Sequence, residues 1–312
     1  MDILSKSRMS AGRTDNKIKR RMRLDLKSEL SAMAFIAPSL LLFLAFKYYP
    51  IISGIFVSFF DIDIVNLPGR FTGFDNYIRA FTDSRFYAAL WHNVKFLFYT
   101  IIMNFWCPIV LAIMINEVHK KKQTVFRMLY FIPAVAPTIA MTVLWKYFWK
   151  PDYGLANYLI GLIGIEPQMW LNSKTWVYFC MNFPSLVICG GMNMVIYLAA
   201  LQDVPNELYE SAMIDGAGFL RRIWSITLPQ IKNVIMAMLL LCVMNVFNTM
   251  ENVLVYTGGG PGGSTETMLL YAYKQASGSL DYSYAIAMAT IVFFLTLTIT
   301  AVLNRIQDRR GN

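Results

Sequence analysis

The sequence predicts an all-α integral membrane protein with six transmembrane helices. Three observations carry that prediction. Of the 312 residues, 56% are hydrophobic, against roughly 45–50% in soluble domains, and the mean hydropathy is +0.46. Charged residues make up 15% of the chain, against roughly 25% in a soluble one. The apolar residues gather into six runs near the roughly 20 residues that a spanning helix needs. The loops between them are too short for a separate globular domain.

Taken in order, residues 1–30 are polar, basic and aperiodic, the composition of a flexible tail. The first run, 32–60, is too long for a signal-peptide core and lacks a small-residue cleavage site. It reads as an uncleaved helix carrying Pro38 and Pro50, with Lys47 able to snorkel to the outer interface. A long loop with an aromatic interfacial segment, 71–81, follows. The second run is 91–117, and the third, 128–149, contains Pro133 and Pro137. The apolar piece at 155–165 is too short to span and predicts a helix on the outer surface. The fourth, fifth and sixth runs are 176–202, 233–256 and 284–303, and a basic tail, 305–312, closes the chain.

Charge distribution orients these runs. The net charge is +9, from 28 Lys and Arg against 19 Asp and Glu. Nine basic residues, from Lys6 to Lys27, precede the first run. Lys120, Lys121, Lys122 and Arg127 follow the second, Arg221, Arg222 and Lys232 precede the fifth, and Arg305, Arg309 and Arg310 follow the sixth. Basic residues mark cytoplasmic segments, so both termini and residues 203–231 are expected in the cytoplasm. The same clustering explains the basic balance without nucleic acid, for which no folded module has room.

Residues 203–231 form a polar stretch between two apolar runs. Asp203 or Asn206 is placed to cap a short helix near Glu207, and Gly216 to end it in a left-handed turn. A second short helix follows, with Leu220, Ile223 and Trp224 expected inward and Arg221 and Arg222 outward, stopping before Pro229. Helices this short are marginal alone and need a surface to dock on.

This stretch resembles the EAA loop of ABC-importer permeases, which runs E-A-A, three residues, G, nine residues, I-x-L-P. Glu210, Ala212, Gly216, Ile226, Leu228 and Pro229 occupy those positions, with Ser211 replacing the middle alanine. Asp215 and Ala217 complete the D-G-A of the maltose-type carbohydrate branch, which residues 131–149 and 257–276 also resemble. The resemblance implies a type I ABC importer permease fold, with a transmembrane domain at 31–304 between the two tails. It also implies a second homologous permease, a cytoplasmic ABC ATPase dimer, an extracytoplasmic sugar-binding protein and a sugar or oligosaccharide substrate. The eight residues Glu210, Ala212, Asp215, Gly216, Ala217, Ile226, Leu228 and Pro229 would couple the permease to the ATPase.

Other candidate chemistry is sparse. Cys107, Cys180, Cys189 and Cys242 all fall in apolar runs without a C-x-x-C pair, and His92 and His119 are far apart, so neither zinc nor a disulfide framework is indicated. The glycine run at 258–263 lacks the lysine of a phosphate loop and reads as a flexible outer turn. Asn245, Asn248 and Asn252 are spaced i, i+3 and i+7, on one face of a continuous helix, with Glu251 beside them and Asn193 a companion in the fourth run. Amides suit hydroxyl-rich ligands but also hold helices together. With sugar permeases as the guide, these five residues are candidates for the substrate path. An ion-coupled carrier using Glu251 is the alternative. No hydrolase or protease motif is present, so no catalytic residue, cofactor or metal is assigned.

Cysteine labelling in intact cells tests the orientation. Probes at Ser264 or Asp152 should be modified and those at Lys121 or Gly218 spared; the reverse pattern would overturn the threading.

Overall fold

The computed structural model describes residues 31–62, 69–118, 120–188 and 190–311. The N-terminal tail, His119 and Cys189 lie outside them.

Helix α1, Ser31–Val57, is 27 residues long and apolar enough to cross a membrane. None of its central residues is buried, and Phe35 and Phe46 are 89% and 79% exposed, a composition at home in lipid rather than water. A wide turn at Leu44–Tyr48 interrupts its α-helical bonding. It sits just before Pro50, whose ring would clash with the carbonyl four residues back in a regular helix.

The remaining chain forms a helical bundle. A two-stranded pair, β1 (Phe60–Asp61) and β2 (Arg70–Phe71), stacks Phe60 on Phe71. It leads to α2 (Asp75–Thr82) and α3 (Ser84–Asn116). Next come α4 (Lys120–Ala134), α5 (Thr138–Phe148), the short α6 (Leu155–Gly161), α7 (Val177–Ile188) and α8 (Gly191–Gln202). Then follow α9 (Asn206–Ile214), α10 (Phe219–Gln230), α11 (Lys232–Phe247), α12 (Glu251–Tyr256), α13 (Met268–Gly278) and α14 (Tyr282–Gly311).

Among the described residues, α1, α3 and α14 are each long and apolar enough to span alone, and α4–α5, α7–α8 and α10–α11 are bent pairs, which gives up to six spans. The third run breaks by 86° ahead of Pro137, which terminates rather than continues a helix. The fourth breaks at Gly190, where φ is +52°. The fifth breaks at residues 248–250, where the sequence pattern implied a continuous helix. Helix α14 runs through Gly311, so the basic tail extends the last helix.

Four apolar clusters hold the bundle. Phe105, Ile109, Ala112 and Ile115 of α3 pack on Met194, Tyr197 and Leu201 of α8 and Met238 of α11. Ala80, Phe86 and Ala89 pack on Met268, Tyr271, Tyr284 and Met288 at the other end of α3. Phe96, Tyr178, Val246, Val253 and Leu270 fill the middle, and Trp149, Trp170, Cys180 and Tyr256 form an aromatic corner.

Polar groups lock the end that carries α2 and α13. Asp83 accepts from the Arg85 amide and from the hydroxyls of Tyr271 and Tyr284. Burial pushes its carboxyl up, but the two phenols and that amide hold it below the usual carboxylate range. Buried Glu266 pairs with Arg85 at 3.1 Å and Lys274 at 2.7 Å. The glycine run beside it is therefore an ordered turn: Thr265 Oγ1 donates to the Gly260 carbonyl at 2.7 Å, and Thr265 itself is fully buried.

Cys180 and Cys242 are free, and Cys180 is fully buried.

Gly191 is a close contact between two helices. A Cβ there would lie 2.0 Å from the Tyr130 carbonyl oxygen of α4, so α8 can approach that backbone only without a side chain. Gly191→Ala should cost about 1–3 kcal/mol or more, through overpacking, and lower the melting temperature of the detergent-solubilised protein. Gly161→Ala, whose methyl meets nothing within 4 Å, should leave it unchanged or slightly raised.

Candidate functional site

The breaks in α7–α8 and α11–α12 and the middle of α3 surround a cavity of about 390 Å³. From α3 it takes Phe96, Thr100, Asn104 and Phe105, the last two within a wide turn at Ile101–Phe105. Met181, Asn182 and Ser185 come from α7, and Asn193 and Tyr197 from α8. Asn245 of α11, Thr249 in the break and Asn252 of α12 complete its polar wall.

Some of these groups satisfy one another. Asn182 Oδ1 accepts from Thr100 Oγ1 at 3.0 Å and Asn104 Nδ2 at 2.9 Å, while its own amide donates to the Tyr178 carbonyl. Asn252 Oδ1 accepts from Thr142 of α5 at 3.0 Å. Others are free. Among the described residues, Asn104 Oδ1 and the Tyr197 hydroxyl are buried without a hydrogen-bond partner. Every described residue in the lining is uncharged.

Three of the five path candidates, Asn193, Asn245 and Asn252, line this cavity. Asn248 and Glu251 do not. The helix ends at Phe247, so the i, i+3, i+7 face does not continue across the break. Asn248 lines a separate groove with Leu269, Val292 and Thr296, and its amide donates back to the Met244 carbonyl at 2.8 Å. Glu251 is the exposed first residue of α12, where a carboxylate complements the positive helix end. An ion-coupled carrier thus loses the residue it rested on. Thr100, Asn104, Asn182, Ser185 and Tyr197 also line the cavity, although no spacing within a single run groups them. The amides Asn104 and Asn182 carried the same signal as Asn193, since a polar side chain in an apolar run needs a reason.

At the other end of the bundle, α9 and α10 meet at Gly216. The Ala217 amide donates to the Ala212 carbonyl at 2.8 Å and the Gly216 amide to the Met213 carbonyl at 3.1 Å. With Gly216 at φ +76°, this is the paired-bond helix terminus that favours glycine. The start of α9 differs from expectation: Pro205 precedes it, and neither Asp203 nor Asn206 caps it through its side chain. Tyr209 bonds Thr227 across the two helices at 3.1 Å, and Ile223, Ile226 and Leu228 pack on the core. Leu220 and Trp224, expected inward, are 69% and 73% exposed, while Arg222 is half-buried with its Nε unpartnered. A wide turn at Ile223–Thr227 shifts the face that α10 presents to the bundle from that point on. Glu210, Asp215, Gly216 and Pro229 are exposed, and Ala212 and Ala217 are half-buried.

A bundle of broken spanning helices around an uncharged polar cavity, with a helix–glycine–helix element at one end, defines a membrane permease. The chain belongs to the family described as "Binding-protein-dependent transport system inner membrane component", which matches residues 107–311. It is 31% identical to the sulfoquinovosyl glycerol transport system permease protein SmoG of Agrobacterium fabrum, over 91% of this chain and 92% of that protein. It is 34% identical to the arabinooligosaccharides transport system permease protein AraP of Bacillus subtilis, over 86% of this chain and 84% of that protein. A chain from the crystal structure of a bacterial ABC transporter importing the acidic polysaccharide alginate superposes with a TM-score of 0.81. That match covers 93% of this chain and 99% of the other, at 24% identity, and shows the type I ABC importer permease fold.

The two classes of asparagine should separate in transport. Asn245→Ala should lower uptake per assembled complex about tenfold, the scale of one lost hydrogen bond, whereas Asn248→Ala should leave it near wild type. Equal loss in both variants would remove the cavity's claim to be the path.

Proposed function

We propose that this chain is one permease subunit of an ATP-driven importer that moves a sugar or oligosaccharide across a bacterial cell membrane, with both termini cytoplasmic. The sugar class draws support from the relatives' names, which include an arabinooligosaccharide and a sulfoquinovosyl glycerol system. A second, homologous permease would complete the path, and an extracytoplasmic binding protein would deliver the sugar. ATP would be hydrolysed by a cytoplasmic ATPase dimer, and the permease itself would catalyse nothing.

The observation that carries this reading is the exposed apolar surface on the α9–Gly216–α10 element. Ile214, Leu220 and Trp224 are largely solvent-exposed, at up to about 1.5–3 kcal/mol per side chain if they became fully buried. The same element is anchored to the bundle through Ile223, Ile226 and Leu228. One face therefore grips the permease while the other is free to dock in a groove of the ATPase. Closure of the ATPase dimer would move α9 and α10, and the broken helices would switch the cavity between the two sides of the membrane. Glu210, exposed on α9, is placed to pair with a basic group of the ATPase. If that pair is partly desolvated, removing one partner costs more than at an open surface.

Glu210→Ala and Gly216→Pro in the purified complex test this coupling. Proline holds φ near −65° where Gly216 needs +76°, so Gly216→Pro should reduce ATPase co-purification and abolish uptake. Glu210→Ala should retain the fold and lower uptake. If both variants keep the ATPase and transport at wild-type rates, the coupling assignment is wrong.

A further inference from the structure

Between the α9–α10 element and the ends of α3, α4 and α8 lies a cavity of about 940 Å³. A second void shares part of its wall and, at about 10 Å³, is close to the least space that holds one water. Glu117, which follows the last residue of α3, borders both, and so does Arg222 of α10. Glu117 is the one carboxylate among the described residues that line either space. Two opposite charges thus face the same joint between the α9–α10 element and the bundle.

They are neighbours without being partners. Among the described residues, neither side chain makes an ion pair or a hydrogen bond. Arg221 is exposed to water, but Arg222 is half-buried with its Nε enclosed. A guanidinium so placed gives up hydration and gains no counter-charge in return. Glu117 is also unfavourably placed, because a carboxylate at the end of a helix meets the negative pole of its dipole. Bringing the cation to the carboxylate would relieve both groups.

The surrounding contacts leave room for that approach. Ile223, Ile226 and Leu228 hold the element by apolar packing, which is non-directional. The Tyr209–Thr227 bond joins α9 to α10, so the two helices move together. On the other side, Gln123 Nε2 donates to the carbonyls of Asn116 and Val118 at 3.2 and 2.9 Å, tying the end of α3 to the start of α4. Further along α3, Thr100 and Asn104 border the central cavity. We infer that Glu117 and Arg222 form an ion pair when the α9–α10 element swings into the larger space, and that this pair passes the movement to α3. The inference rests on the proposed coupling to an ATPase and supplies the contact inside the permease that carries it. Both are positioning residues, since neither borders the central cavity.

The test uses the complete complex, both permeases with ATPase and binding protein, reconstituted in proteoliposomes. Glu117→Arg or Arg222→Glu alone should leave the ATPase bound but lower the ATP hydrolysis stimulated by the binding protein about tenfold, the scale of one charge-assisted hydrogen bond. The double reversal should restore that rate to within about twofold of wild type, as expected for directly coupled residues. Single reversals with wild-type stimulation, or a double reversal no better than the singles, overturn the inference. So does rescue of Glu117→Arg by Arg127→Glu instead, since Arg127 borders only the larger cavity. A second arm needs no charge reversal. With Glu117→Cys and Arg222→Cys in one chain, a short bifunctional thiol reagent should link the two positions in one nucleotide state, ATP-trapped or nucleotide-free, and hardly at all in the other. Mass spectrometry of the linked peptide reads the yield, and equal yields in both states overturn the inference even where the single reversals fail to assemble. A wild-type complex that retains no ATPase overturns the coupling reading and the inference together.

Discussion

The structure depends on one constraint: a backbone amide or carbonyl in lipid must find its partner within the protein. Unbroken helices meet it alone, and α1, α3 and α14 do so over 27, 33 and 26 residues of spanning helix. Broken helices meet it only if the freed groups are satisfied from elsewhere. At the break after Phe247, Asn248 Nδ2 donates to the Met244 carbonyl and Thr249 Oγ1 to the Asn245 carbonyl. Thr267 reaches in to the Thr249 carbonyl, and Asn93, fully buried on α3, donates to the Val246 carbonyl while accepting from the Met268 amide. These four side chains add to the backbone bonds that remain at the break, from the Asn248 amide to the Met244 carbonyl and from the Thr249 amide to the Val246 carbonyl.

These repairs explain why the breaks lie where they do. Irregular backbone at membrane depth is tolerated where it is shielded by protein or lines a cavity, and Gly190, Thr249 and Asn252 line this one. The same bends that cost helical hydrogen bonds turn amides and hydroxyls inward around a shared space. The aromatic corner of Trp149, Trp170 and Tyr256, together with the Glu266 ion pairs, closes the bundle on the side of α12 and α13. At the opposite end the chain leaves apolar side chains uncovered on α10, with the core-facing side of that helix firmly packed.

The sequence alone determined the class and most of the architecture. Its apolar runs, helix-breaking prolines and the glycine between two short helices are local signals, each tied to backbone geometry within a few residues. Gly216 was legible for that reason: a left-handed terminus is specified by the residue that occupies it. Membership of the permease family was legible too, because the spacing from Glu210 to Pro229 is linear information.

Tertiary structure decided the cavity. Asn245 and Asn252 face it while Asn248 turns away, since helical periodicity holds only within an unbroken helix. Asn104, Asn182 and Tyr197 join them from two other spans, a convergence that no pattern along the chain encodes. The outward placement of Leu220 and Trp224 is likewise a property of the packed helix. Periodicity predicts which side chains share a face, but only the packed bundle determines where each helix stops and what that face meets.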